Sequence, residues 1–127
     1  MKFTIARESL LQPLQLAVGV VERGQTNPVL ANLLLNLGQD RLVITGTDNE
    51  VELTVVITDV AVGSPGEVTV PARKLLDICK SLPDGAELSA SLEGKRVAVD
   101  SGRFNSFLAT LPVSEFPNSQ TSVYDVY

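Results

Sequence analysis

The chain has 127 residues, of which 44% are apolar, and a formal net charge of −5. Its size and composition predict one globular domain, and no apolar run approaches the ~18 residues that a membrane span requires. The absence of histidine and the single cysteine exclude Ser-His-Asp catalysis, internal disulfides and multi-cysteine metal sites. Residues 1–8 become charged too early for a signal peptide, so a cytoplasmic protein is expected.

The first half of the chain predicts a strand, a helix and three further strands. Alternating side chains over residues 2–6 predict the strand. The helix is predicted over residues 7–23, with an apolar face made of Leu10, Leu14, Ala17, Val18 and Val21. Within it, Pro13 comes slightly late for a first-turn proline. The three strand-like runs, separated by polar and glycine-containing turns, are residues 29–35, 41–45 and 51–58.

The same order of elements recurs in the second half. A short strand is predicted over residues 67–70, and Pro71 is expected to open a helix over residues 71–82. Three strands follow, at residues 87–92, 96–100 and 104–110, whereas residues 61–66 are interpreted as a connector with a Pro-Gly turn. This duplicated β-α-β-β-β unit predicts an α+β fold, with two helices packed side by side on one face of antiparallel sheet built from both halves.

The charge is distributed unevenly along these elements. Because the helix over residues 7–23 is neutral, the helix over residues 71–82 carries +2 and the whole chain carries −5, the remaining segments carry −7. Arg73 and Lys80 are seven residues apart and share one side of their helix. Two interpretations are open: a solvated face with an ion pair between Arg73 and Asp77, or a surface that meets DNA phosphates weakly while the rest of the protein repels them.

Few residues could carry catalysis. Asp48, Glu50 and Glu52 could share one strand face and offer oxygen ligands to magnesium, but a turn aspartate followed by solvent-facing strand positions accounts for the same pattern. No glycine-rich phosphate-binding motif is present, and Cys79 lies on the apolar face of its helix. The sequence therefore predicts a non-catalytic protein without a metal or cofactor.

Several strings occur in an order that is typical of one family. They are LLQPL at residues 10–14, TNPVLANLLL at 26–35, LVITGTD at 42–48, VPARK at 70–74 and SGR at 101–103. Along nearly its whole length the chain resembles the N-terminal domain of the bacterial sliding clamp, the beta subunit of DNA polymerase III, in its gamma-proteobacterial form. The resemblance implies the DNA-clamp fold and a ring of six such domains, which encircles duplex DNA and tethers the polymerase without catalysing a reaction.

The resemblance also implies roles for individual residues. Arg73 matches a family arginine that faces DNA. Arg23 is a further candidate for phosphate contact, because the next residue, Gly24, stands where the family commonly has a second arginine. Lys80 is a candidate because it shares one side of its helix with Arg73. Four residues match family positions at the joint with the third domain of a partner chain: Lys74, Arg96, Arg103 and Leu108. Phe107, which departs from the family pattern, is a fifth candidate for this contact.

The last strand departs from the family pattern. Residues 102–108 read GRFNSFL where the family usually has GRSRFxL, so Asn105 replaces the second arginine and Ser106 replaces the interface phenylalanine. Because strand side chains alternate, Phe107 is predicted to lie on the opposite face of the sheet from Ser106. This change should weaken the usual joint unless the strand bulges or pairs differently.

The expected domain covers residues 1–118, and residues 119–127 are interpreted as a linker or the start of a missing second domain. The predicted function is that of a processivity-factor domain in a ring. The alternative is a stand-alone interaction module that pairs with a clamp edge and blocks ring closure. The expected partners are duplex DNA, bound weakly and without sequence preference, other clamp domains or copies of the chain itself, and, in a full-length clamp, polymerase III and the clamp loader. No membrane partner is expected.

Overall fold

The computed structural model describes residues 1–21, 31–48 and 50–117. The elements, in chain order, are β1 (Lys2–Ala6), α1 (Arg7–Val21), β2 (Asn32–Leu37), β3 (Leu42–Thr47), β4 (Glu52–Ile57), β5 (Ala61–Ser64), β6 (Gly66–Pro71), α2 (Ala72–Ser81), β7 (Glu87–Glu93), β8 (Arg96–Ser101) and β9 (Phe104–Ala109), followed by a short 3-10 helix, Val113–Glu115. The predicted order is confirmed with one correction. The presumed connector contains strand β5, because its backbone pairs with the edge of β1.

The strands form two antiparallel sheets, and each sheet contains strands from both halves of the chain. The strand orders are β5-β1-β7-β8-β9 and β4-β3-β2-β6. The first strand of each repeat pairs with a strand of the other repeat, since β1 pairs with β7 and β6 pairs with β2. This exchange links the two repeats into one unit. The α+β class and the two helices packed on antiparallel strands are confirmed, with two sheets in place of a single one.

Both helices and both sheets contribute to one apolar core. The buried residues of α1 are those expected from its helical period: Leu10, Leu14, Ala17, Val18 and Val21. On α2, Leu75, Leu76 and Cys79 are buried in the same way. Helix α1 continues through Pro13, although proline cannot donate a backbone hydrogen bond there. Burial of its apolar face, at about 25 cal/mol per Å² of apolar surface, compensates for that loss.

Helix α1 lies directly on strand β3 at Gly46. A Cβ atom at this position would stand 2.8 Å from the carbonyl oxygen of Ala17 and 3.1 Å from side-chain carbons of Val21 and Leu33. Real Cβ atoms do not approach a backbone oxygen so closely, so the helix and the strand can reach this separation only because residue 46 has no side chain.

Arg7 joins the start of α1 to the end of α2. Its Nε donates a hydrogen bond of 3.0 Å to the carbonyl oxygen of Cys79, and its Nη1 lies 3.1 Å from Glu8 and 3.3 Å from Asp84. The backbone N–H of Arg7 donates to the carbonyl oxygen of Ala86 at 2.9 Å. The Arg7 side chain is only 14% exposed, so it holds the two helix ends together. Its bond is the second one to the Cys79 carbonyl oxygen, which also accepts the backbone N–H of Leu82 at 3.4 Å.

Glu8 makes the stability of this helix junction dependent on pH. Its carboxylate accepts the backbone N–H of Gly85 at 3.1 Å, and this bond, together with Arg7, lowers the pKa of Glu8 from its ordinary value of 4.5. A lowered folded-state pKa stabilises the fold above pH ~4.5, and this contribution is lost as the pH falls through the folded pKa. Urea unfolding should show Glu8→Gln less stable than the wild type at pH 7, with the difference vanishing in acid.

The matched control is Glu93→Gln, which changes an exposed glutamate of β7. It should leave the stability almost unchanged at both pH values. A constant difference between Glu8→Gln and the wild type from pH 7 down to pH 3 would contradict the assignment.

After β9 the chain crosses to the four-stranded sheet in a crossing segment, residues 110–117. The hydroxyl of Thr69 organises this contact, because it donates to the carbonyl oxygen of Leu111 at 2.9 Å and lies 3.2 Å from the N–H of the same residue. The side-chain amide of Asn32 donates to the same hydroxyl at 3.1 Å. Thr69 is 0% and Asn32 5% exposed, and Phe116 packs on Leu34 farther along. A buried polar network thus fixes the path of the chain.

Candidate charged helix face and open strand edge

The exposed face of α2 carries the basic residues that the sequence singled out. Arg73, Lys74 and Lys80 are all exposed, as is Asp77 between them. Arg73 and Asp77 form the expected ion pair, at 3.5 Å, with side chains that are 58% and 60% exposed. An exposed pair of this kind contributes only ~0.3–0.5 kcal/mol, so it does not prevent either group from contacting an external ligand.

The third candidate for phosphate contact, Arg23, lies outside the described residues, together with Gly24. The structure therefore places two of the three candidates, Arg73 and Lys80, on one exposed helix face. Lys74 follows Arg73 in the first turn of α2, so it belongs to a different element from the other candidates for chain–chain contact.

Strand β9 forms an open edge of the five-stranded sheet. It pairs with β8, and the backbone N–H of Thr110 donates to the carbonyl oxygen of Lys95 at 3.2 Å just beyond the last registered pair. Because hydrogen-bonded and non-hydrogen-bonded pairs alternate in an antiparallel ladder, Asn105, Phe107 and Ala109 direct their backbone groups away from β8. No other strand of the described residues pairs with this side of β9. The edge can therefore accept a strand from another chain or domain.

The side chains of β9 divide between the two faces of the sheet as the alternation predicts. Leu108 is 2% exposed, whereas Phe107 on the other face is 49% exposed. Ser106 lies opposite Val99 on the core side, so the prediction that Phe107 and Ser106 face opposite ways is confirmed. The register is continuous, without a bulge. Leu108 faces this domain's own core, and its contact with a partner chain stays a prediction.

Arg96 and Phe107 lie together on the outer face of the five-stranded sheet. The guanidinium carbon of Arg96 is 3.8 Å from the centroid of the Phe107 ring, which is a cation–π contact. The register explains the contact, since Arg96 lies opposite Ala109 and Phe107 lies opposite Ala98, so the two side chains are diagonal neighbours. Arg103 is exposed in the β8–β9 turn, after Gly102 with a φ of 58°. The open edge is therefore flanked by cations.

Of the acidic candidates, Asp48 has a structural role. The carboxylate of Asp48 accepts backbone N–H groups from Glu50 and Val51, at 2.9 and 2.8 Å, which stabilises the turn before β4. No group of three or more His, Cys, Asp or Glu side chains among the described residues could hold a metal ion.

Cys79 is buried, and burial raises the pKa of its thiol, which makes it a poor nucleophile at neutral pH. None of the helices within residues 1–21, 31–48 and 50–117 is long and apolar enough to cross a membrane.

Comparison with known proteins identifies the family. The model of the DNA polymerase III beta subunit, N-terminal domain, matches residues 1–120. A beta sliding clamp from Pseudomonas aeruginosa is 55% identical over 119 residues, which cover 92% of this chain and 32% of that protein. One from Escherichia coli K12 is 49% identical over 118 residues, 93% of this chain and 32% of that protein.

The solved structures give the same result. A DnaN sliding clamp from Pseudomonas aeruginosa bound to griselimycin aligns with a TM-score of 0.91 at 48% identity, over 99% of this chain and 34% of that chain. Caulobacter crescentus pol III beta aligns with a TM-score of 0.91 at 38% identity, over 95% of this chain and 32% of that chain. This chain thus spans about a third of the length of these relatives. It belongs to the DNA polymerase III beta subunit family, in which it corresponds to the N-terminal domain.

Proposed function

We propose that the chain supplies the first domain of a sliding clamp, a ring that encircles duplex DNA and keeps DNA polymerase III on its template. The observation that carries this proposal is the match of nearly the whole chain, including both sheets and both helices, to solved clamps at a TM-score of 0.91. The proposed role is non-catalytic and cytoplasmic, with the domain ending near residue 118.

The proposed DNA contact uses the exposed face of α2. Arg73 and Lys80 are exposed on the same side of this helix, while the chain as a whole carries −5. A few cations facing phosphates give weak, sequence-independent and salt-sensitive binding. Such binding would leave the ring free to slide, since retention on DNA would come from the closed ring rather than from affinity.

The contribution of α2 is measurable by fluorescence anisotropy with a short duplex. The double variant Arg73→Glu, Lys80→Glu is expected to bind the duplex more weakly than the wild-type chain does. The slope of log K against log salt should also fall in magnitude by about 2, because each lost phosphate contact removes roughly 0.9. The matched control, Lys2→Glu with Lys95→Glu, makes the same change in net charge on β1 and in the β7–β8 turn. Equal losses in both double variants would show that only net charge matters.

The proposed chain–chain joint is the open edge of β9. Three backbone positions of this strand face outward, and Arg96 and Arg103 are exposed nearby. An antiparallel strand from the third domain of a partner clamp would extend the five-stranded sheet, with hydrogen bonds giving affinity and charge giving selectivity. This joint would replace the phenylalanine usual in the family at position 106 with a serine.

The joint is tested by mixing the chain with the part of the Pseudomonas aeruginosa beta sliding clamp that lies beyond the matched region. Light scattering should give the mass of a one-to-one complex, compared with each component alone. Separate elution at every concentration, with the clamp remainder shown to be folded by circular dichroism, would contradict the proposed joint.

The open edge also supports a second candidate function, a module that caps a clamp edge and blocks ring closure. The substitutions at Asn105 and Ser106 favour this alternative because they alter the family's own joint. A capping module would reduce the fraction of intact, dimeric Pseudomonas aeruginosa clamp when added in excess. A domain that binds the edge only as tightly as the clamp's own first domain would need a far larger excess, since it competes with a joint partner that is covalently tethered in the ring.

A further inference from the structure

Arg96 contacts the ring of Phe107 and not the carboxylate that lies opposite it on the neighbouring strand. Arg96 lies directly opposite Glu93 in the β7–β8 register, where an ion pair between neighbouring strands could form. The guanidinium instead stacks on Phe107 of the edge strand, at 3.8 Å from the ring centroid. None of the ion pairs among the described residues involves Arg96. Within residues 1–21, 31–48 and 50–117, the charge is therefore held beside the open edge without a carboxylate partner.

The surrounding residues show that the stack is a packed feature of the sheet surface. Ala98 lies directly opposite Phe107 and points to the outer face, yet it is only 7% exposed. Large side chains therefore cover this stretch of an otherwise exposed face. An aromatic ring beneath the guanidinium limits the directions that a long arginine side chain can take, so less rotamer entropy is lost when the cation is bound.

We propose that Phe107 is a positioning residue, which holds the Arg96 guanidinium at the open edge of β9 and so selects a partner strand that carries a carboxylate on the outer face of the sheet. The inference rests on the proposed clamp joint and deepens it. The backbone of Phe107 faces the open side, so a strand added there would place alternate side chains on the same face as the stack. One such side chain lies within reach of Arg96.

The proposal also gives a physical meaning to the altered edge. Against the GRSRFxL pattern that the sequence resemblance implies, Asn105 stands where a cation is usual and Ser106, on the core side, where an aromatic residue is usual. The aromatic group at position 107 lies on the outer face, where it supports the cation that remains. The joint would therefore depend more on one oriented arginine and less on an apolar side chain beneath the sheet.

The stack itself is tested in the free chain by nuclear magnetic resonance. Ring currents from Phe107 should shift the side-chain protons of Arg96 upfield in the wild type and in Phe107→Tyr, which keeps an aromatic ring. The shift should disappear in Phe107→Leu, which keeps an apolar side chain without a ring. Arg96 shifts that are the same in all three proteins would overturn the stack.

Its role in binding is tested by titration calorimetry against the Pseudomonas aeruginosa clamp remainder. Phe107→Leu should weaken binding about fivefold and Phe107→Tyr should restore most of the affinity, because tyrosine keeps the aromatic face that the cation contacts. In the Arg96→Ala background, Phe107→Leu should have little further effect. Fully additive effects would show that Phe107 contacts the partner by itself and would overturn the positioning role.

Failure of the inference and failure of the clamp joint give different results. If wild-type chain does not bind the clamp remainder, the proposed joint is wrong. If wild-type chain binds and Phe107→Leu binds equally well, the joint stands and Phe107 has no positioning role.

Discussion

Replacing Gly46 by alanine is expected to destabilise the fold by about 1–3 kcal/mol, the usual effect of inserting an atom into a packed core. The new methyl group would lie 2.8 Å from the carbonyl oxygen of Ala17, so helix α1 would have to move away from β3. Because α1 contributes five buried residues to the core, a small displacement affects many contacts. Urea unfolding, with the midpoint and slope compared with those of the wild type, measures the loss.

The matched control is Gly19→Ala in the same helix. A Cβ atom at Gly19 has nothing within 4 Å, and the position is exposed. Alanine is a better helix former than glycine by roughly 0.5–1 kcal/mol, so this variant should be more stable than the wild type. Two variants with changes of the same sign would contradict the account of how α1 packs on β3.

Thr69→Val should have a comparably large effect, of about 2–3 kcal/mol, although the two side chains have the same shape. The hydroxyl is fully buried and bonds to both backbone groups of Leu111 and to the amide of Asn32. Valine leaves the buried amide of Asn32 without this partner and removes the hydroxyl from the partly buried backbone groups of Leu111. Each unsatisfied buried group costs roughly 1–3 kcal/mol. Besides urea unfolding, hydrogen exchange should report faster exchange at the N–H of Leu111.

Thr45→Val provides the comparison for a less buried hydroxyl. Its Oγ1 lies 3.4 Å from the Oγ1 of Thr54 in a partly buried pair on neighbouring strands. Both groups can reach water, so the change should cost less than about 1 kcal/mol. Equal losses at the two positions would mean that the Thr69 network does not hold the crossing segment.

The pattern of apolar residues within single helices and strands was enough to predict most of the fold. The period of α1 identified all five of its buried residues, and the alternation in β9 placed Phe107 and Ser106 on opposite faces. The strand exchange between β1 and β6 was not predictable in this way, because periodicity reports which face is buried and not which strand lies beside it. Strand β5 was missed because a short run ending in Pro-Gly resembles a turn.

In the candidate site, too, features within one helix or strand could be predicted, whereas contacts between neighbouring strands could not. Charge spacing along one helix indicated the shared face of Arg73 and Lys80, since helical geometry is local. The stack of Arg96 on Phe107 depends on the register between β8 and β9, which no spacing within one strand reveals. Leu108 was assigned to the joint by resemblance, whereas its burial follows from lying opposite Val97 on the core side.

Whether this domain works in a ring closed around DNA can be measured with a chimera. Residues 1–117 of the chain would replace the matching part of the Pseudomonas aeruginosa beta sliding clamp, and the chimera would be loaded on nicked circular DNA by the clamp loader. The chimera should co-elute with the circular DNA in gel filtration and should dissociate when the DNA is linearised. Retention that survives linearisation, or no retention while the unmodified clamp is retained, would contradict it.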